Sequence, residues 1–142
     1  MSAQSTVNWL KAVSIVTALS AVPLVFSGLT GLSAIANVFT DLAFWPLDGR
    51  QTIAAPETRL FAAIAGGVTV GLAAFVWIVA DRLYQRDPAA ARAIILTGLT
   101  AWCVADSLGS MAAGAPMNVV INLLIFTAFV WPLRKAPAAE LA

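Results

Sequence analysis

Four stretches of this chain are each about as long as a bilayer core is thick, and that leaves few folds open. A hydrocarbon layer of about 30 Å takes roughly 20 apolar residues at 1.5 Å each. The runs at about 12–33 (AVSIVTALSAVPLVFSGLTGLS), 56–80, 88–112 and 116–133 meet that length. The expected fold class is an all-α membrane protein, a four-transmembrane-helix bundle forming a single domain over residues 1–142. Composition agrees. Of the 142 residues, 61% are hydrophobic and 11% charged, where a soluble domain carries about 25% charged residues. That is more apolar surface than one small core can bury, so most of the solvent is lipid.

The ends of these runs carry helix signals. Pro56, Pro88 and Pro116 open three of them, where the missing N–H has no helical partner to lose. Asp87 fits an N-cap, and Glu57 sits where the helix dipole favours an anion. Pro23 lies inside the first run and predicts a kink. That run is expected to stay as an anchor, since its basic leader is Lys11 alone and it is longer than a signal-peptide apolar core. Between Ser33 and Trp45, Ile35, Val38, Phe39, Leu42 and Trp45 recur at helical spacing, with Asn37, Thr40 and Asp41 on the other face. This predicts a short amphipathic helix lying at the interface in the first outer connection. It ends before a turn at Asp48-Gly49. The tail after Lys135 is short and expected to fray.

Lys11, Arg82, Arg86, Arg92, Arg134 and Lys135 flank one side of the expected bundle, whereas Arg50 and Arg59 flank the other. The positive-inside rule then places both termini in the cytoplasm. Trp9, Trp77, Tyr84 and Trp131 suit an aromatic belt on that side, and Trp45 on the other. Gly67 and Gly71, with Gly66 adjoining, form a small-residue pair that allows close helix contact, and Gly28 and Gly31 thin the outer end of the first span.

Polar groups inside a bilayer each need an account. Asp106 lies about six residues, or roughly 9 Å, below the outer end of the third span, and Asn122 lies equally deep on the fourth. Ser110 and Asn118 are each one turn above them. Arg59 in the first turn of the second span is able to snorkel to this level or pair with Glu57. Asp106, Asn122, Asn118, Ser110, Arg59 and Glu57 are therefore expected to converge on one polar pocket on the outer side. Such a pocket serves either as a ligand, ion or proton site or as glue between helices, with Asp106 bonded to Asn122 or Arg59. Cys103, one turn before Asp106, reads as filler.

Much chemistry is excluded. There is no histidine and one cysteine, which removes imidazole-ligated haem and zinc, His-based acid–base catalysis and paired-thiol redox reactions. No phosphate-binding GxxxxGK[ST] loop occurs. Seven acids against eight bases give no bulk charge for nucleic acid. The first span carries no charge, unlike that of a small multidrug exporter. No catalytic residue, cofactor or metal is indicated.

The segments FWPLDG (Phe44–Gly49), AAPETRL (Ala54–Leu60), RLYQRDP (Arg82–Pro88), DSLGS (Asp106–Ser110) and GAPMNVVIN (Gly114–Asn122) carry a resemblance. The chain resembles a family of small bacterial four-span membrane proteins with no assigned reaction or ligand. Some members bear an excinuclease-subunit label, which a chain without ATPase motifs or zinc cysteines does not support. The resemblance implies the four-span fold and the bacterial inner membrane.

The functional expectation is a non-enzymatic membrane protein that binds or stabilises a lipid-like small molecule, a membrane-protein partner or a second copy of itself. The alternatives are a small transporter or proton-coupled permease using Asp106, and an enzyme acting on a lipid-soluble substrate.

Overall fold

The computed structural model describes residues 1–134. Lys135 and the tail expected to fray lie outside the described residues. Five α-helices follow one another: α1 (Ala3–Val25), α2 (Leu32–Phe44), α3 (Pro56–Arg82), α4 (Pro88–Ala112) and α5 (Pro116–Val130), the last continued by a 3-10 turn at Trp131–Leu133. Four are long and apolar enough to cross a membrane, with α5 counted through Leu133. The chain is thus a multi-pass membrane protein built as a helical bundle. At 13 residues α2 is too short to span.

The prolines at 56, 88 and 116 all occupy the first helical turn, and Asp87 Oδ1 caps α4 by accepting from the Ala90 N–H at 2.9 Å. The first span departs from expectation. It begins nine residues earlier than Ala12 and ends at Val25 rather than Ser33. Ser2 caps it, its Oγ accepting from the Ser5 N–H at 3.1 Å. Polar residues that looked extramembrane belong to its first turns and find partners across the bundle. Gln4 Oε1 accepts from Gln85 Nε2, Trp9 Nε1 donates to the Ala128 carbonyl, and Lys11 Nζ meets Asp81 at 2.8 Å. At the other end, Pro23 lacks the N–H that would bond Leu19, and the helix runs only two residues beyond it. The proline therefore sits at the terminus instead of kinking the middle. Gly28 and Gly31 lie in the turn to α2, where Gly31 has φ +91°, and neither packs against a neighbouring helix.

Helices α1 and α3 run antiparallel and touch along most of their lengths. Small residues line the seam: Ser14, Thr17 and Ala21 from α1, and Ala62, Gly66 and Ala73 from α3 are all buried. Gly66 is the closest approach. A Cβ there would stand 2.7 Å from the Val25 nitrogen and 3.0 Å from the Ala21 carbonyl oxygen. The expected pair, Gly67 and Gly71, points elsewhere, with nothing within 4 Å of either. The close contact is made by the adjoining Gly66, one residue and about 100° round the helix from Gly67.

Helices α4 and α5 form the second antiparallel pair. The two pairs join at the end carrying the N-terminus, where Leu10, Ile95, Leu99, Phe129 and Leu133 are fully buried with Val76, Ala80 and Tyr84. Tyr84 thus belongs to this core at 2% exposure and not to an aromatic belt. Trp77 sits beside the Lys11 ammonium, 4.6 Å from its ring centre. Above this core α3 and α4 touch little. At the opposite end α2 lies across, packed against α5 and α1.

The amphipathic helix is present within one residue of its expected bounds, and its apolar residues are divided between two sides: Phe39 and Leu42 are half-buried toward the bundle. Asp41 is buried and Asn37 half-buried, whereas Ile35 and Val38 are exposed. The polar face holds the following connection. Asp41 Oδ2 accepts from the Gly49 N–H at 2.9 Å, and Asn37 Oδ1 from the Ile53 N–H at 2.7 Å. A loop at the membrane surface must find acceptors for its N–H groups, and α2 supplies them from Asp41 and Asn37.

Gly66→Ala should lower the unfolding midpoint in detergent by the equivalent of about 1–3 kcal/mol, the usual effect of overpacking. Gly67→Ala and Gly71→Ala should leave it unchanged. Thermal unfolding followed by size-exclusion fluorescence reads the difference.

Candidate functional site

Three residues close the connection between α4 and α5. Gly114 takes φ +76°, a conformation glycine adopts without penalty. The Ala115 N–H donates to the Ser110 carbonyl at 2.8 Å, and the Asn118 N–H to the Ala115 carbonyl at 3.1 Å. This tight turn brings the first turn of α5 against the last two turns of α4.

There Asp106, Ser110 and Asn118 form a closed triad. Ser110 Oγ donates to Asp106 Oδ1 at 3.1 Å, and Asn118 Nδ2 donates to the same oxygen at 3.0 Å. Asn118 Nδ2 also donates to Ser110 Oγ at 2.8 Å. The amide orientation is fixed by its partner, because a carboxylate oxygen accepts and an amide nitrogen donates. Among the described residues, Asp106 Oδ2 accepts no hydrogen bond.

Asn122 is buried at 3% exposure and does not bond Asp106. Its Nδ2 reaches Ser107 Oγ at 3.4 Å. Counting depth from the helix ends matched the levels of Asp106 and Asn122 but not their angular positions. Successive residues on a helix differ by about 100°, and it is Ser107 that faces Asn122.

Glu57 and Arg59 do not join the cluster. Both are exposed, and Arg59 Nε donates to the Ile53 carbonyl at 3.4 Å, so the arginine braces the connection held by α2. Their height at the same end of the bundle was legible, but α3 turns them toward that connection. Of the six expected residues, then, four converge along one edge and two lie apart.

That edge belongs to a cavity of about 820 Å³ walled by all five helices. Its polar side is Asp106, Ser110, Asn118 and Asn122, and its apolar walls include Leu24, Phe39, Phe44, Trp102, Ile121 and Ile125. It occupies the half of the bundle away from the apolar core, where the two helix pairs separate. Phe75 of α3 meets Gly98 of α4 at 4.0 Å from the position of an added Cβ. Further from the core, Phe61 and Ala65 on α3, Gly109 on α4 and Ala113 just after it line the cavity yet are exposed. The cavity therefore reaches the surface between α3 and α4, within the length of the spanning helices. Its volume falls in the range of about 300–1,000 Å³ usual for small-molecule sites.

Sequence reasoning missed Ser107, Trp102 and the contribution of α2. Trp102 had a usable signal, since a tryptophan in mid-span belongs to no interfacial belt. Phe39 and Thr40 were assigned to opposite faces of α2, yet both border the cavity. Cys103 is buried outside the lining. Among the described residues no group of three or more His, Cys, Asp or Glu side chains comes together.

A double-mutant cycle in micelles should find Asp106 and Asn118 coupled by about 0.6–1.7 kcal/mol, the span measured for membrane hydrogen bonds. The Asp106–Asn122 cycle should give a coupling near zero.

No family model, curated protein or solved structure matches this chain.

Proposed function

We propose that this chain is a non-enzymatic protein of the bacterial inner membrane, both termini cytoplasmic, that holds a lipid-like small molecule in the cavity between its two helix pairs. The observation that carries this reading is the sideways opening between α3 and α4. A cavity reached at membrane depth is supplied from the bilayer, and apart from Ser20, Thr40 and Thr69, whose hydroxyls are spent on their own helices, its walls are apolar except for the one edge at Asp106 and Asn118. An amphiphile fits that division, with its tail along Phe39, Phe44 and Ile125 and its head at the triad. Membership of the small bacterial four-span family that the sequence resembles would account for the inner membrane. The orientation rests on Lys11, Arg82, Arg86, Arg92 and Arg134 at the core end against Arg50 and Arg59 at the other.

A permease using Asp106 is the second reading, favoured by the unpartnered Oδ2. It needs a route through the other half of the bundle. Leu10, Ile95, Leu99 and Phe129 are fully buried against one another there, which supports holding a molecule over passing it. An enzyme on a lipid-soluble substrate calls for a second titratable group beside Asp106, and Glu57 is exposed and borders neither the cavity nor the triad.

Native mass spectrometry after gentle extraction should show a reproducible small mass on the protein. Ala65→Trp, which fills the mouth from an exposed position, should remove it without lowering the yield of folded protein. An empty wild type, or a second polypeptide as the sole adduct, would count against the reading.

The orientation has its own test in a Cys103→Ala background. A membrane-impermeant maleimide added to intact cells should label Asp48→Cys and spare Ser2→Cys. The opposite pattern would reverse the topology.

A further inference from the structure

We infer that the head group this cavity selects is a hydrogen-bond donor carrying positive charge, so that its ligand is a long-chain amine or ammonium amphiphile and not a phosphate or carboxylate one. The inference rests on the lipid-like reading above and adds the chemistry of the head. It comes from accounting for the side-chain polar hydrogens of the lining residues.

Four hydroxyls line the cavity, and each already donates within the protein. Ser20 Oγ donates to the Thr17 carbonyl at 2.8 Å, Thr40 Oγ1 to the Ala36 carbonyl at 3.0 Å and Thr69 Oγ1 to the Ala65 carbonyl at 2.9 Å. Ser110 Oγ donates to Asp106 Oδ1. Both amide hydrogens of Asn118 are engaged, on Asp106 and Ser110. What remains free to donate is neutral and slight: the second amide hydrogen of Asn122 and the indole N–H of Trp102. Acceptors are the open capacity. Asp106 Oδ2 and Asn118 Oδ1 accept nothing among the described residues, and both belong to the polar edge.

Charge points the same way. Asp106 is the one ionisable side chain in the lining, and no lysine or arginine borders the cavity. Arg59, the nearest expected counter-ion, is turned to the Ile53 carbonyl. A phosphate head seated here would face a carboxylate with no cation between them, in surroundings that screen poorly. An ammonium head meets Oδ2 with a charge-assisted hydrogen bond and finds Asn118 Oδ1 beside it. The aromatic walls add faces on which a cation also sits favourably.

Hexadecylamine, hexadecanol and hexadecyl phosphate share one tail and differ only in the head. Titrated into the protein in a nonionic micelle and counted by native mass spectrometry, hexadecylamine should bind one to one, about tenfold tighter than hexadecanol. Hexadecyl phosphate should bind weakest. In Asp106→Asn the tenfold preference for the amine over hexadecanol should vanish. Phosphate binding equal to or tighter than amine binding overturns the inference and leaves a lipid-like site standing, as does an amine preference that survives in Asp106→Asn. Binding of none of the three overturns the underlying reading together with this one. The wild-type ranking decides the matter even where the variant does not fold.

Discussion

Inside a bilayer, helices gain nothing from leaving water, so they associate only where their surfaces fit or their polar groups bond. In this protein the fit is at Gly66. With no side chain there, the α3 backbone closes on the last turn of α1, where an added Cβ would fall 2.7 Å from the Val25 nitrogen. The seam of small residues follows from that contact, and α1 and α3 become one unit. The second pair is held differently. Helices α4 and α5 are joined by a tight turn at Gly114 and fastened by the Asp106–Ser110–Asn118 triad. The two units then share one packed end, centred on Leu10, Ile95, Leu99 and Phe129. Everything else is a consequence of packing two stiff pairs together at one end only. They diverge toward the other, and the cavity is the space they leave.

Much of this was legible from the sequence where a residue type fixes backbone geometry. Pro56, Pro88, Pro116 and Asp87 set helix starts by local physics alone, and those starts are where the sequence puts them. The start of α1 was hidden because Gln4, Asn8 and Lys11 look like residues outside a membrane. Gln4 and Lys11 find Gln85 and Asp81, some 70 to 80 residues away, and no local pattern reports such a pairing. The short helix α2 shows the same division. Its period was readable, but which face is covered depends on what folds against it, and the connection at residues 46–55 needed acceptors for its own N–H groups. The site was half legible. Depth along a helix follows from counting, so Asp106, Ser110, Asn118 and Asn122 were found. Angular position requires knowing how two helices face each other, and this assigned Asn122 to Ser107 and turned Arg59 and Glu57 away.

The triad does two jobs with one carboxylate. Asp106 Oδ1 ties α4 to α5 through both Ser110 and Asn118, which holds the side chain in one orientation. That same orientation leaves Oδ2 toward the cavity without a partner. An acid on an isolated helix would be free to turn away from so apolar a space. Here the structural bonds to Oδ1 hold the side chain in place, and under the proposed function the same few atoms serve as glue and as site.

The hydrogen bonds of α2 run mainly to the connection that follows it, through Asp41 to Gly49 and Asn37 to Ile53, and not to the spanning helices it rests upon. Helix and connection are therefore one folded unit, stitched to itself, leaning on α1 and α5 through side-chain packing and tied to α3 through Arg59. Its attachment before α2 is Gly31, at φ +91°, and after it Ala55, just ahead of the rigid start of α3. Any displacement that uncovers the far end of the cavity carries both parts as a single flap about these two points. What holds this flap to the bundle is the packing of α2 on α1 and α5 together with the hydrogen bond from Arg59 Nε of α3 to the Ile53 carbonyl.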